Sequence, residues 1–298
     1  MTDMNEAKIL ILGGTGTLGQ ALTKSLLTEF PKAKIAIFSR DEHKQAAMKK
    51  LYPQAEYILG DIRNGAVTFR AMASRDIVFH VAALKHVDIL EENPLESIET
   101  NVEATASVAD LATMALVKHF IFSSTDKAVD PINVYGYSKA LAEKVLYDLN
   151  RKQSFTKFSV YRWGNVIGSQ GSVIPFFVRT LKQEGIAYVT DLSMTRFWLP
   201  IDWAVNYMLR SFPDAYRDRA MICPNMKAAT IVDVVKATAK ILGIDQYKFQ
   251  VTGIRAGEKI HEVMSSQHSR ERMSSDNYEE YSEEALIDLL RPVVEACA

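Results

Sequence analysis

The feature that most constrains how this chain can fold is Gly14-x-Gly16-x-x-Gly19, set between the apolar run Lys8–Leu12 and a helical pattern starting at Leu18. A strand that turns sharply into a helix over a bound diphosphate makes three demands. One residue must tolerate φ > 0, one must let backbone approach the phosphates, and one must let helix pack on strand. Glycine meets all three. The helix N–H groups then face the anion. Gly13, Gly14, Thr15, Gly16, Thr17, Leu18 and Gly19 are therefore the expected dinucleotide cradle. A glycine turn without a ligand is the alternative, but such turns usually lack this strand-to-helix frame.

The rest of the first half repeats the same rhythm. Apolar runs at 8–12, 34–38, 56–59, 76–81, 118–123 and 158–162 alternate with helical patterns such as 18–28, 98–116 and 135–150. Strand and helix alternating at about thirty-residue intervals mark βαβ units around a parallel sheet. The expected fold is thus α/β, a doubly wound parallel sheet of Rossmann type over residues 1–165. Beyond Asn165 the rhythm breaks at Gly168, Gly171, Pro175 and Pro200. Residues 166–298 are expected to form mainly a smaller substrate-binding unit over the carboxyl ends of the strands, with room for segments that return to the sheet. The polar stretch 265–281 reads as a mobile surface segment.

Charge and cysteine usage narrow the function classes. With 35 Lys+Arg against 36 Asp+Glu, no global field draws the chain to nucleic acid or to an anionic membrane. Cys223 and Cys297 are too few for a disulfide scaffold or a zinc ribbon, and free thiols are expected. His43, His80, His86, His119, His261 and His268 show no metal-ligand spacing. There is no apolar run of the roughly 18 residues a membrane span needs. The start also lacks a basic segment followed by an apolar core and cleavage site, so a cytoplasmic protein is expected.

Two further stretches carry chemistry. A site selective for NAD would place a carboxylate just after the second strand, to bind the ribose 2′-OH. Ser39 and Arg40 stand there instead, and a hydroxyl with a guanidinium suits the 2′-phosphate of NADP. Alternatively Arg40 is a solvated helix-start residue and Asp41 an N-cap. Asp61, after the third strand, is either an acceptor for the adenine amino group or a helix N-cap. Past the fifth strand runs Ser123-Ser-Thr-Asp-Lys127, followed by Tyr135-x-x-x-Lys139 at a helix start. Tyr135 and Lys139 share one helix face. A tyrosine near pKa 10 is a poor base at neutral pH unless cations favour its phenolate. An ammonium and an oxidised nicotinamide would do so, letting Tyr135 take a proton from a sugar hydroxyl while hydride leaves the same carbon.

These residues resemble the extended short-chain dehydrogenase/reductase family: Gly13-x-x-Gly16-x-x-Gly19, Asp61 and Tyr135-x-x-x-Lys139. Within it, Ala82-Ala-Leu-Lys-His-Val87, Ser123-Ser-Thr-Asp-Lys-Ala128, Pro131-Ile-Asn-Val-Tyr-Gly136 and Arg162-x-Gly-Asn-Val-x-Gly-Ser169 look like the dehydratases acting on UDP-N-acetylglucosamine. Gly171-Ser-Val-Ile-Pro175, Met194-Thr-Arg-Phe197 and Arg255-x-Gly-Glu-Lys259 continue the likeness, which spans roughly residues 8–265. It is strongest to the soluble, C5-inverting 4,6-dehydratases that open pseudaminic acid biosynthesis. The resemblance implies that C4 is oxidised, water is eliminated across C5 and C6, and hydride returns to C6. Thr125 would then bond the C4 oxygen, Asp126 act as acid and Lys127 as base. C5-retaining relatives commonly carry Asp-Glu at this spot.

The same resemblance places Ile62, Ala82, Ala83 and Lys85 at the dinucleotide, with Lys85 also near the sugar or else a plain loop lysine. Asn165 and Arg196 would hold the substrate diphosphate, and Arg255 with Glu258 the uridine half. A UDP-sugar substrate and a homo-oligomer, dimer or hexamer, are implied. The chemistry adds a demand of its own. An exposed lysine is protonated at neutral pH, so Lys127 must fall toward pKa 7–8 while Asp126 holds its proton. A UDP-sugar 4-epimerase and a dinucleotide-sensing module without catalysis are the competing readings.

Overall fold

The computed structural model describes residues 4–152, 155–169, 171–211, 221–265 and 273–298. The first half builds the expected alternation: β1 (Lys8–Leu12), α1 (Thr17–Glu29), β2 (Lys34–Ser39), α2 (Glu42–Leu51), β3 (Glu56–Leu59), α3 (Gly65–Met72) and β4 (Ile77–His80). Two short helices follow, α4 (Val87–Glu92) and α5 (Pro94–Ser97). A π-helical stretch, Ile98–Glu103, then runs into α6 (Ala104–Met114). β5 (His119–Thr125) passes through a 3₁₀ turn, Asp126–Ala128, before α7 (Val134–Lys152) and β6 (Lys157–Trp163).

The second half holds β7 (Asn165–Ile167), α8 (Val173–Glu184), β8 (Ile186–Val189), β9 (Thr195–Pro200), α9 (Ile201–Ser211) and β10 (Met221–Ile222). β11 (Ala228–Thr230), α10 (Ile231–Leu242), β12 (Lys248–Val251) and α11 (Glu283–Cys297) complete it.

The main sheet is parallel and ordered β10-β6-β5-β4-β1-β2-β3. Its central strands are buried on both faces, as β4 shows along its whole length, which is why they read as unbroken apolar runs. On one face Ile9, Ile11, Ile35 and Ile37 meet Leu22 and Leu26 of α1 and Met208 of α9. On the other, Leu10, Phe38, Phe120 and Phe122 meet Val108 of α6 and Leu146 of α7. A separate core around Phe177, Trp198, Val235 and Leu290 holds the second unit together.

Residues 166–298 are not one block. α9 packs on α1 and β10 pairs with β6, so 201–211 and 221–222 return to the sheet layer. The π turn also has a cause. It places the buried Asn101 side chain so that Oδ1 accepts from Leu84 N–H at 2.9 Å and Nδ2 donates to Leu84 O at 2.8 Å. This pins the loop after β4 beside the sheet edge. The expectation of a mobile 265–281 is corrected for its described part, while 266–272, with His268, lies outside the described residues. Ser274 and Ser275 are buried, Val263 bridges Ser274, and Tyr281 donates to Trp198 O at 3.0 Å. No described helix is long and apolar enough to cross a membrane.

His80 ends β4 fully buried between the rings of Phe120 and Phe122, its Nε2 3.0 Å from Thr105 Oγ1. Burial, helped by the Lys139 charge, pushes the imidazole down from 6.5 to about 3. A folded-state value below the unfolded one means the unfolded chain binds more protons as pH falls, so this stability is present above 6.5 and lost toward 3. Unfolding free energy from urea titrations should therefore decline below pH 6.5, with up to about 1.4 kcal/mol per pH unit from this group. His80→Gln should flatten that decline. An equal slope in the variant would remove His80 as its cause.

Candidate active site

The cradle forms where β1 meets α1. Gly13 and Gly14 donate their N–H groups to Phe38 O at 2.9 and 3.3 Å, tying the turn to the end of β2. Gly13 takes φ +84°, and a Cβ there would lie 2.6 Å from Ala82 N. A Cβ on Gly19 would meet Gly14 Cα at 2.5 Å. Helix α1 starts at Gly16 without a side-chain cap and without an acidic residue in its first turn. An anion therefore meets an uncompensated positive helix end.

Two cavities meet at Gly13 and Gly16. The larger, about 830 Å³, runs past Thr17, Leu18 and Gly19 to Thr125, Lys127, Tyr135 and Lys139. The smaller, about 280 Å³, is lined by Thr15, Ser39, Arg40, Asp61, Ile62, Ala82 and Ala83. Gly14 lines neither. It packs under Ile37, whose Cγ2 would sit 2.8 Å from an added Cβ, so its role is contact between helix and strand.

At the smaller cavity Ser39 Oγ accepts from Gln45 Nε2 at 3.0 Å, and Asp41 caps α2 by accepting from Lys44 N–H at 2.9 Å. Asp61 accepts from the Arg63 backbone and guanidinium, each at 2.9 Å, and lies 3.4 Å from Arg40. Partial burial opposes its ionisation, but Arg63 outweighs this and holds the carboxyl below its usual range. Asp61 lines this cavity with its carboxylate bound to arginine. Arg40 and Lys44 are the cations facing this cavity.

The catalytic stretch occupies the carboxyl edge of β5. Thr125 Oγ1 donates to Asp126 Oδ1 at 3.0 Å and accepts from Lys127 N–H at 3.3 Å. Asp126 is fully buried behind Thr125 and Lys127, and its Oδ2 has no partner among the described residues. Lys127 Nζ lies 3.1 Å from Asp126 Oδ1 and 3.1 Å from Glu262 Oε1. Burial alone would lower the ammonium, yet Asp126 and then Glu262 outweigh it and hold Lys127 above its ordinary value. The expectation of a lysine resting near neutrality is corrected: Lys127 rests as an ammonium. Burial raises Asp126 above the usual carboxyl range, Lys127 opposing and Glu262 reinforcing it.

Tyr135 lines the larger cavity, and burial pushes its phenol up to about 12. Lys127 opposes that rise, Asp126 adds to it, and the Thr125 hydroxyl hydrogen-bonds the phenol. Lys139 lines the same cavity. Its Nζ donates to Ser123 O at 2.6 Å and lies 3.9 Å above the Phe122 ring. Burial lowers it to about 7, with Glu143 opposing.

Of the expected substrate residues, Lys85 and Asn165 line the larger cavity. Arg196 does not. Its Nη1 donates to Thr195 O and Ile260 O and its Nη2 to Lys259 O, at 2.7 to 2.9 Å, leaving it buried under the site. Arg255 is exposed, and neither it nor Glu258 lines either cavity; Glu258 Oε2 instead faces Arg255 N at 3.4 Å. Sequence reasoning missed Glu262. It also missed Glu143, which accepts from Ser124 Oγ at 2.6 Å and from Arg162 Nε and Nη2 at 2.9 and 2.6 Å. Glu262 comes from distant sequence, whereas Glu143, four residues after Lys139, had a local signal.

A family model described as "Polysaccharide biosynthesis protein" matches residues 9–283. The chain belongs to the polysaccharide biosynthesis protein family. Among its relatives is the inverting UDP-N-acetylglucosamine 4,6-dehydratase of Campylobacter jejuni, 40% identical over 92% of this chain and 82% of that one. A UDP-glucose 4-epimerase of Rickettsia canadensis is 38% identical over 87% of this chain and 77% of its own length. The X-ray structure of Pen from Bacillus thuringiensis superposes with a TM-score of 0.87 at 30% identity, covering 97% of this chain and 98% of that one.

If this family member uses its glycine turn as a cradle, Gly13→Ala should weaken dinucleotide binding at least tenfold, read by calorimetry. Gly185→Ala is the control: its φ is +66° but nothing lies within 4 Å of an added Cβ. That substitution should cost only about 1–2 kcal/mol of stability and leave binding intact. Equal binding by both variants would remove the turn from the site.

Proposed function

We propose that this chain is a UDP-N-acetylglucosamine 4,6-dehydratase that inverts C5 and uses NADP. The observation that carries this reading is the ammonium of Lys127 facing the cavity while hydrogen-bonded to a buried carboxyl group. An elimination needs a base at C5 and a proton for the departing oxygen, whereas epimerisation at C4 needs neither. Proton transfer from Lys127 to Asp126 across 3.1 Å makes an amine and a carboxylic acid in one move. Burial raises the proton affinity of Asp126, which readies it to receive that proton.

When bound, the dinucleotide supplies the redox chemistry, taking hydride from C4 and returning it to C6. Tyr135 takes the 4-OH proton. The ketone at C4 acidifies the C5 hydrogen, and the Lys127 amine removes it. As the C5=C6 bond forms, the C6–O bond breaks and the oxygen leaves as water. Asp126 does not reach the cavity wall, so its proton passes through Thr125 Oγ1, which touches both. Hydride reaching C6 would leave an enolate whose C5 must regain one proton. This equals the one Tyr135 took from the 4-OH, so the cycle ends with ammonium beside carboxylate and the charges balance.

Arg40 and Lys44 at the smaller cavity, with no carboxylate at the end of β2, support NADP over NAD. The open glycine cradle fits its diphosphate. Exposed apolar residues on α7, Tyr137, Leu141 and Tyr147, support a homo-oligomer. Likeness to the inverting dehydratase supports a product serving pseudaminic acid-type synthesis. The 4-epimerase reading stands second because relatives of that name match nearly as much of the chain.

The deciding test is incubation with UDP-N-acetylglucosamine in D₂O, followed by NMR. A C6 methyl signal with deuterium and inverted configuration at C5 is expected. The C4 epimer without a methyl group would establish the epimerase instead. Lys127→Ala should keep dinucleotide binding and lose C5 exchange by about 10²-fold or more; full exchange removes Lys127 as the base. Arg40→Ala should weaken NADP binding roughly tenfold, as expected for one charge-assisted phosphate contact, and leave NAD binding nearly unchanged. Equal loss for both dinucleotides would overturn the NADP assignment.

A further inference from the structure

Glu262 belongs to no strand or helix and comes from the second unit, yet its carboxylate reaches the catalytic turn. It is 2% exposed. Its Oε1 lies 3.1 Å from Lys127 Nζ and 3.9 Å from Arg196 Nε, and its Oε2 lies 3.8 Å from Lys259 Nζ. Only Lys127 is within hydrogen-bond reach. Arg196 donates to backbone carbonyls, and Lys259 Nζ donates to Val129 O at 2.6 Å. Glu262 Oε2 has no hydrogen-bond partner among the described residues.

The backbone of Glu262 is secured without this carboxylate. Its N–H donates to Ser275 Oγ at 3.0 Å, and its carbonyl accepts from Ser275 N–H at 2.9 Å. A buried acid with an under-satisfied oxygen is a poor device for stability, since an apolar side chain of similar volume often serves a fold better. The arrangement makes sense as a device for protons.

We propose that Glu262 is a positioning residue of the elimination step, holding Lys127 Nζ between two carboxylates and keeping one shared proton on the Asp126–Lys127 pair. This rests on the dehydratase reading above. Loss of that proton would leave two buried carboxylates, Asp126 and Glu262, around a neutral amine, which is an expensive state. Once the proton has moved to Asp126, the Lys127 amine still donates an N–H to Glu262, so its lone pair is aimed rather than free. When the amine takes the C5 proton, the new ammonium again lies between two anions.

The charged and titratable groups around Glu262 are few. Asp126 and Lys127 face it from the 3₁₀ turn, Arg196 from β9, and Lys259 from its own segment, with Asp130 acting on Lys259. Tyr135 of α7 interacts with the Asp126–Lys127 pair. His261 is turned onto Thr195, its Nδ1 2.8 Å from Thr195 Oγ1. Lys127 first, then Arg196 and Lys259, hold the Glu262 carboxyl below its ordinary value against its burial.

The test uses the full chain with NADP and UDP-N-acetylglucosamine. Glu262→Gln should lower kcat roughly 10- to 100-fold, the scale of one displaced proton-transfer group, with KM changed less than about twofold. Because Glu262 raises the proton affinity of both Asp126 and Lys127, its neutralisation should move the alkaline limb of kcat to lower pH by about one unit. Glu262→Asp, which keeps the charge, should move the limb back toward the parent. An unmoved limb in Glu262→Gln, whatever the change in kcat, would reduce Glu262 to a strut.

A second measurement does not depend on that variant folding. In Asp126→Asn, ¹⁵N NMR of the Lys127 amine should still show an ammonium at pH values where an ordinary lysine has lost its proton, because Glu262 remains. Deprotonation in the ordinary lysine range would overturn the proposal. If the parent yields no C6 methyl product, the dehydratase reading fails, while this titration still decides whether Glu262 holds the proton.

Discussion

Lys127 Nζ sits 3.1 Å from each of two carboxylates that water scarcely reaches. In solvent such a pair would contribute almost nothing, because hydration competes for both partners. Inside the protein each ion depends on the others, and removing one leaves an uncompensated buried charge. The cluster therefore dictates how the two halves of the chain meet. Asn133 Nδ2 donates to Gly257 O at 2.7 Å and Lys259 Nζ to Val129 O at 2.6 Å, so the segment 257–262 is fastened along the catalytic turn. Ser274 and Ser275 lie behind it and fix the backbone of Glu262. These bonds fasten the second unit to the turn that carries Asp126 and Lys127.

The parts legible in the sequence are those whose cause is local. Strands β1 to β6 were readable because a sheet covered on both faces needs continuous apolar runs, and the cradle because its glycines answer steric demands within seven residues. β10 escaped notice because two residues, Met221–Ile222, carry no periodicity. The return of α9 to the sheet escaped for another reason: an amphipathic helix does not announce which apolar surface it covers. Tyr135 and Lys139 share a helix face, which spacing reveals, but spacing cannot show that the Lys139 ammonium turns to Ser123 O.

Long-range electrostatics was the illegible part. The protonation of Lys127 is set by its neighbour Asp126 and then by Glu262, and no pattern in the sequence joins Lys127 to Glu262. The family resemblance made Arg196 an expected ligand of the substrate diphosphate, a role that arginine chemistry permits. In the fold its guanidinium faces three carbonyls and the flank of Glu262, so its charge bears on the substrate only through the cluster. A residue type predicts what a side chain can bind, and the fold selects among those partners.

The contrast between the two site lysines assigns their chemistry. Both are withdrawn from water at the carboxyl edge of β5, and burial by itself lowers both. Lys127 is nevertheless raised, because Asp126 and Glu262 stand beside it. Lys139 has a carbonyl oxygen and the face of Phe122, while the nearest carboxylate, Glu143, already accepts from Ser124 and Arg162. It therefore falls to about 7. A strongly held proton with a carboxylate ready to receive it suits transfer to and from a reacting carbon. A lysine near neutrality can change charge with its surroundings, whereas Lys127 is held as an ammonium between two carboxylates.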